Sequence, residues 1–282
     1  MGMLRLLSIQ GFPLCKLLDV YRNDENTYVV TELASGGDLF SWCLGGPPAG
    51  PEREALSRPL APQIFAAVGW LHELNVAHRD LSPENILLTG ETGAGGLQIR
   101  LIDFGMAVCG RTQTSSSSMQ RAGKPSYQAP ELHALQEYDA FKADCFSTGV
   151  VLFAMVAKNY PWLSTKPGRS TAFEYVCCHG PDEFLKCNSP IRALSSEFIE
   201  LLSSLLQVKP SWRPQLSRHS PRRAQTSASL SESAVKRSLE SVWDSPWVVD
   251  SSLARFPTVS SVSTMATLDD DGAERTETIT AI

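Results

Sequence analysis

The stretch His-Arg-Asp-Leu-Ser-Pro-Glu-Asn, residues 78–85, carries the strongest information about the fold. It follows a segment, residues 64–71, in which apolar side chains recur at helical spacing, so the pattern predicts a helix that leads into a polar loop. On that loop Asp80 and Asn85 suit phosphoryl transfer, because a carboxylate can accept the proton of an attacking hydroxyl while an amide oxygen binds a metal ion on the phosphates.

A second motif, Asp103-Phe104-Gly105, follows residues 98–102, which are predicted to form a short strand. A carboxylate at the end of a strand, beside a glycine that lets the chain turn sharply, suits a second metal ligand. Either motif alone is weak, since such a triplet is usually an ordinary turn. Their order and spacing together predict a site for a metal-bound phosphate.

Three further motifs complete a pattern that resembles the protein kinase catalytic domain: Ala129-Pro130-Glu131, the stretch of residues 144–150 and Arg213. The resemblance covers residue 3 to about residue 216, with residues 231–250 as the last helix of the family. It implies transfer of the γ-phosphoryl group of ATP to a serine or threonine hydroxyl of a protein substrate.

The resemblance also implies roles for single residues. Asp80 would be the base, and Asn85 and Asp103 would bind Mg²⁺. The nucleotide-binding positions are Thr31 as gatekeeper, Glu32 and Ala34 with backbone groups for adenine, Asp38 at the ribose, Glu84, and Leu87 under the base.

Two structural interactions are implied in the same way. Glu131 would pair with Arg213 and tie the substrate loop to the large lobe, and Asp144 would hold the catalytic loop through backbone N–H groups. Solvated surface carboxylates are the alternative for both acids. His78 would be structural rather than a base.

Arg79 precedes the catalytic aspartate, where a guanidinium can pair with a phosphate on the activation loop. Ser117 or Ser118 would be the phosphorylated residue, by distance from Ala129-Pro130-Glu131. A serine-rich loop without a switch is the alternative.

Two positions depart from the family pattern. Ser82 lies where serine/threonine kinases usually have lysine, and Lys124 lies where they usually have threonine. We expect the two residues to have exchanged roles, with Lys124 reaching Asp80 and the phosphate from the substrate loop; decay of a dead site is the alternative. Tyr127, just before Ala-Pro-Glu, is still similar to the serine/threonine branch.

The resemblance lacks its first part. No Gly-rich loop or lysine strand precedes residue 10, and the ion-pairing glutamate of the family would fall near Met3. We therefore expect impaired transfer by this chain, which is either a truncated gene model or a kinase-like scaffold that binds partners. A small-molecule phosphotransferase is disfavoured by Glu131, Asp144 and Arg213.

Composition limits the partners. A net charge of -5 does not favour nucleic acid or anionic lipid, and the sequence has no apolar run of about 18 residues that would predict a membrane span. Seven cysteines without a CxxC pair predict reduced thiols in a cytosolic or nuclear protein.

The predicted fold is α+β, with a mainly helical large lobe and a small-lobe remnant of two strands plus the end of a helix. The predicted segments are residues 1–33 as small-lobe remnant and hinge, 34–216 as large lobe, 217–230 as disordered serine-rich insert, 231–250 as last helix and 251–282 as disordered tail. Residues 45–55 are predicted to be a loop because they are rich in Gly and Pro.

Overall fold

The computed structural model describes residues 13–90, 96–114, 122–134, 136–218, 239–248, 265–268 and 274–277. Helices dominate these parts, and the strands are short, which confirms the predicted α+β fold. The helices are α1 Leu39–Leu44, α2 Pro51–Ser57, α3 Ala61–Glu73, α4 Ala140–Ala157, α5 Thr171–His179, α6 Pro181–Cys187 and α7 Ser196–Leu205.

The described strands pair two by two, and every pair is antiparallel. β1 (Leu17–Arg22) pairs with β2 (Thr27–Thr31), and β3 (Val76–Ala77) pairs with β6 (Val108–Cys109). The remaining pairs are β4 (Ile86–Thr89) with β5 (Gln98–Leu101), β7 (Thr112–Thr114) with β8 (Glu137–Asp139), and β9 (Met265–Leu268) with β10 (Glu274–Glu277).

Helix α4 is the centre of the large lobe. It begins where the Asp139 side chain accepts hydrogen bonds from the backbone N–H groups of Phe141 and Lys142. It packs against α1, α2, α3 and α7, so nearly every side of it is apolar. By length and composition alone α4 could cross a membrane, but 89% of it is buried inside the protein, as expected of a core helix.

The described part of the small lobe is the hairpin β1–β2. Its turn is closed by Asn23, whose side-chain oxygen accepts hydrogen bonds from the backbone N–H groups of Glu25 and Asn26. Every residue of β2 is exposed. The chain just before the hairpin joins the large lobe, since Leu101 donates its N–H to the Pro13 carbonyl at 2.7 Å. Within the described residues the small lobe is reduced to this hairpin, as predicted, and the predicted end of a helix falls in residues 1–12, outside the described residues.

The prediction that residues 45–55 form a loop is wrong for residues 51–55, because helix α2 starts at Pro51. Proline is tolerated at the first helical position, where no N–H is needed. Glu52 and Glu54 lie in the first turn, where a negative charge is favourable. The helix is also held by Arg53, a buried side chain that donates to the Cys43 carbonyl at the end of α1.

The C-terminal segments differ from the predicted organisation. Residues 239–248 contain one 3-10 turn, Val242–Asp244, instead of a full helix, because Pro246 follows and cannot donate an N–H to extend it. The β9–β10 pair lies in the tail predicted to be disordered. Residues 219–238, which include most of the predicted insert and the start of the predicted helix, lie outside the described residues.

A glycine in α3 tests how the C-terminal part of the lobe packs. A Cβ at Gly69 would lie 2.4 Å from the Leu216 carbonyl oxygen, whereas a Cβ at Gly45 would meet its nearest atom at 3.7 Å. We expect Gly69→Ala to reduce the free energy of unfolding by about 1–3 kcal/mol, measured by urea denaturation. Gly45→Ala is the matched control and should change it much less; equal losses would contradict the packing described.

Candidate active site

The catalytic loop, residues 78–85, is held from behind by helix α4. The Asp144 carboxylate is 1% exposed and accepts hydrogen bonds from the backbone N–H groups of His78 at 2.9 Å and Arg79 at 2.8 Å. The His72 imidazole lies 3.0 Å from the same carboxylate. The loop therefore starts from a fixed point in the core.

His78 is a structural residue in this arrangement. Its Nε2 lies 3.0 Å from the Ile102 carbonyl oxygen, and the Asp80 backbone N–H donates to its Nδ1 at 3.3 Å. Burial lowers the pKa of the imidazole. A neutral ring with its proton on Nε2 satisfies both contacts, and it ties the catalytic loop to the strand end before Asp103.

Asp80 and Asn85 lie side by side. The Asn85 amide donates to the Asp80 backbone oxygen at 2.8 Å and to its carboxylate Oδ2 at 3.2 Å. The other carboxylate oxygen, Oδ1, is buried and has no hydrogen-bond partner among the described residues. Burial raises the pKa of Asp80, and the nearby positive charge of Lys124 opposes that rise. The carboxylate thus presents one unused acceptor.

Asp103 comes two residues after β5, next to Ile102, whose backbone N–H donates to the Asn85 carbonyl at 3.0 Å. Its backbone is left-handed, with φ of 60°, and its Oδ1 accepts the Gly105 N–H at 3.2 Å. Asn85 uses its N–H donors toward Asp80, which leaves its amide oxygen as the acceptor end of the group. One carboxylate and one amide oxygen fit Mg²⁺, which is commonly held by one or two protein ligands together with substrate phosphates.

Lys124 contacts the catalytic loop, but at other atoms than predicted. Its ammonium donates to the Ser82 hydroxyl at 2.8 Å and lies 2.9 Å from Glu84 Oε2. The sequence predicted that Lys124 reaches Asp80; among the described residues its hydrogen bond goes to Ser82 and its ion pair to Glu84.

The predicted nucleotide-side residues line the hinge between β2 and α1 and the facing strand β4. Thr31 is exposed at the end of β2, Ala34 lies in the hinge, and Glu32 pairs with Arg100 at 3.3 Å. The Glu32 N–H donates to the Lys16 carbonyl at 2.9 Å, so this N–H is already used within the protein.

Asp38 and Leu87 meet through a backbone bridge. The Asp38 carboxylate caps α1, accepting the Ser41 N–H at 2.6 Å, which is a structural use of the residue predicted at the ribose. Leu87 is half-buried on β4, and its predicted place under the base stays a prediction.

The substrate loop is tied down by the predicted ion pair. Arg213 donates through two nitrogens to Glu131, at 2.6 and 2.8 Å, and the Arg213 side chain is fully buried. Arg79 donates to the Met106 carbonyl at 3.5 Å. Ser117 and Ser118, the predicted phosphorylation sites, and Met3 lie outside the described residues.

Sequence reasoning missed two residues that position the site. His72 lies four positions after Val68, so it is a titratable side chain on the apolar face of that helix. This position is the sequence signal that could have indicated its role. Gln128 donates to the carbonyls of Ala122 and Gly123, and nothing in the pattern around it indicates this.

Comparison with known proteins agrees with this geometry. The protein kinase domain model matches residues 3–221. The chain belongs to the protein kinase family. It is 39% identical over 163 residues to CBL-interacting protein kinase 22 of Oryza sativa subsp. japonica, covering 56% of this chain and 35% of that protein.

Two other relatives give the same result. The human SNF-related serine/threonine-protein kinase is 29% identical over 212 residues, which cover 74% of this chain and 25% of the relative. The probable serine/threonine-protein kinase KCC4 of Saccharomyces cerevisiae is 36% identical over 147 residues, which cover 52% and 13%. The chain thus spans at most about a third of the length of these relatives.

The Glu131–Arg213 pair predicts a stability loss. Glu131→Ala leaves a buried guanidinium without its carboxylate, and we expect the free energy of unfolding to fall by roughly 3–5 kcal/mol, measured by urea denaturation. Glu137→Ala removes an exposed carboxylate from β8 and should change it by less than about 0.5 kcal/mol. Similar effects of the two variants would refute a stabilising role for the pair.

Proposed function

We propose that this chain transfers the γ-phosphoryl group of ATP to a serine or threonine hydroxyl of a protein. The observation that carries the proposal is the Asp80 carboxylate, which is fixed by Asn85 through one oxygen and has its other oxygen, Oδ1, buried without a partner among the described residues. An unpaired buried acceptor is costly, and a substrate hydroxyl would satisfy it.

The chemistry follows from that acceptor. Asp80 orients the hydroxyl and accepts its proton. The hydroxyl oxygen forms a bond to the γ-phosphorus while the bond from phosphorus to the β,γ-bridging oxygen breaks, and ADP leaves with that electron pair. Asn85 and Asp103 would hold Mg²⁺, which neutralises charge on the phosphate oxygens when bound.

Three further points concern the serine/threonine class, the binding of the base and the cellular location. The relatives named above are described as serine/threonine kinases or as a CBL-interacting protein kinase. In the hinge the Glu32 carbonyl would accept a hydrogen bond from the base, since the Glu32 N–H is used by the Lys16 carbonyl. We also propose a cytosolic or nuclear location, because all seven cysteines are free and disulfides are rare in those compartments.

A second candidate is a kinase-like binding protein. It is favoured by the hairpin, where Tyr21 is 58% and Tyr28 52% exposed, since exposed apolar surface of this kind often marks a binding site. The described part of the small lobe, the lobe that would hold the phosphates, is the hairpin β1–β2.

Asp80→Asn separates the two functions. The variant keeps the shape of the side chain but loses the proton acceptor, so we expect transfer of label from γ-³²P-ATP to a serine/threonine peptide mixture to fall at least about 100-fold. Asp24→Asn, at an exposed carboxylate in the hairpin turn, is the control and should leave transfer unchanged.

Equal labelling by the wild-type chain and Asp80→Asn would reject the enzyme and favour the binding protein. Acid hydrolysis of the labelled peptides decides the class, because label recovered on phosphotyrosine would reject the serine/threonine assignment.

A further inference from the structure

We propose that Lys124 supplies, from the substrate loop, the cation that neutralises the phosphoryl group during transfer, with Ser82 and Glu84 positioning its ammonium. The proposal rests on the phosphoryl-transfer function above. The sequence predicted that Ser82 and Lys124 exchange roles, and the structure adds a direct hydrogen bond between the two side chains. The proposal also adds Glu84 as the residue that holds Lys124 before the phosphate arrives.

The first support is the coordination of the ammonium. Lys124 donates to Ser82 Oγ at 2.8 Å and lies 2.9 Å from Glu84 Oε2. The contact to Ser82 is a hydrogen bond and the contact to Glu84 is an ion pair, so at least one of the three N–H donors of the ammonium is left for a phosphate oxygen. Ser82 is fully buried, whereas the Lys124 side chain is 40% exposed. The cation is thus anchored in the catalytic loop and open to the substrate side.

The second support is the backbone beneath Lys124. Gly123 has φ of 85°, and a Cβ there would lie 2.8 Å from the Arg79 carbonyl oxygen, so the substrate loop rests directly on the catalytic loop. Gln128 donates to the Gly123 carbonyl at 2.9 Å. The Tyr127 N–H donates to the Lys124 carbonyl at 2.9 Å. Lys124 therefore starts from a fixed position next to the base.

The third support is charge. Glu84 neutralises Lys124 at their 2.9 Å contact. The flexible four-carbon stem lets the ammonium turn a remaining N–H donor toward a phosphate while it stays beside Glu84. A lysine at position 82 as well would place a second cation beside the first, which explains a hydroxyl at that position. An ordinary exposed ion pair, worth about 0–1 kcal/mol, would not need the contact to buried Ser82.

A double-mutant cycle on the full chain tests the proposal, with kcat and KM for an acceptor peptide measured by transfer from γ-³²P-ATP. We expect Lys124→Thr to lower kcat about 100-fold and to leave KM for the peptide unchanged. Ser82→Lys should also lower kcat, by crowding two cations around one phosphate. The double variant should transfer at least about tenfold faster than the product of the two single effects, because contacting residues couple.

Ser82 and Glu84 need their own test as positioning residues. Ser82→Ala removes the hydroxyl and should lower kcat, and Ser82→Thr, which keeps it, should restore most of the loss. Glu84→Gln removes the anion that holds Lys124 and should also lower kcat. Lys186→Thr is the matched control, since Lys186 forms an exposed ion pair with Asp182 at 2.7 Å on α6, and it should leave kcat unchanged. Thermal denaturation establishes that each variant is folded; if Ser82→Lys is not, the cycle with Ser82→Ala decides.

Four results would overturn the proposal. If Lys124→Thr left kcat unchanged, or if the kcat of the double variant equalled the product of the two single effects, Lys124 and Ser82 would not act together. A kcat that Glu84→Gln leaves unchanged would remove Glu84 from the arrangement. A loss confined to KM, and only with acidic peptides, would show that Lys124 recognises the acceptor instead. In all four cases Asp80→Asn would still abolish transfer; if Asp80→Asn had no effect, the proposed function itself would fail.

Discussion

The Asp144 carboxylate, buried on helix α4, accepts hydrogen bonds from the backbone N–H groups of His78 and Arg79. A buried carboxylate is costly unless donors surround it, and these two amides with His72 supply them. Arg79 has a left-handed backbone with φ of 67°. Such a conformation costs roughly 1–3 kcal/mol and persists only where its surroundings enforce it. The shape of the catalytic loop therefore depends on this one carboxylate.

Helix α4 holds the second half of the site as well. Ser147 lies three residues after Asp144, on the same helical face, and donates to the Tyr127 carbonyl at 2.8 Å. One face of one core helix thus holds both the loop that carries Asp80 and the loop that carries Lys124. The alignment of these residues is a consequence of packing within the large lobe.

Much of this fold could be predicted from the sequence because its signals are local. The apolar side chains at helical spacing in residues 64–71 predicted the helix that became α3, and residues 98–102 predicted the strand that became β5. The motif residues of the site were also identifiable, because each motif is a few residues long. The Gly- and Pro-rich stretch that became α2 was misread, since its helical start depends on Pro51 at the first position.

What the sequence could not give are contacts between distant segments. Lys124 and Ser82 are 42 positions apart. No local pattern shows that Glu84 would form an ion pair with the same ammonium. The docking of residues 239–248 is of the same kind, since the Trp247 indole donates to Glu54 at 2.7 Å across 193 positions. Such contacts depend on the assembled core and on no single segment.

Amide hydrogen exchange in Asp144→Asn tests the central claim, that one buried carboxylate shapes the catalytic loop. The variant keeps the size of the side chain but presents only one acceptor oxygen. We predict that the amides of His78 and Arg79 exchange at least about tenfold faster than in the wild-type chain, which corresponds to a loss of about 1.4 kcal/mol, while the amides in the middle of α4 keep their protection. Unchanged protection of both loop amides in a folded Asp144→Asn chain would contradict the claim.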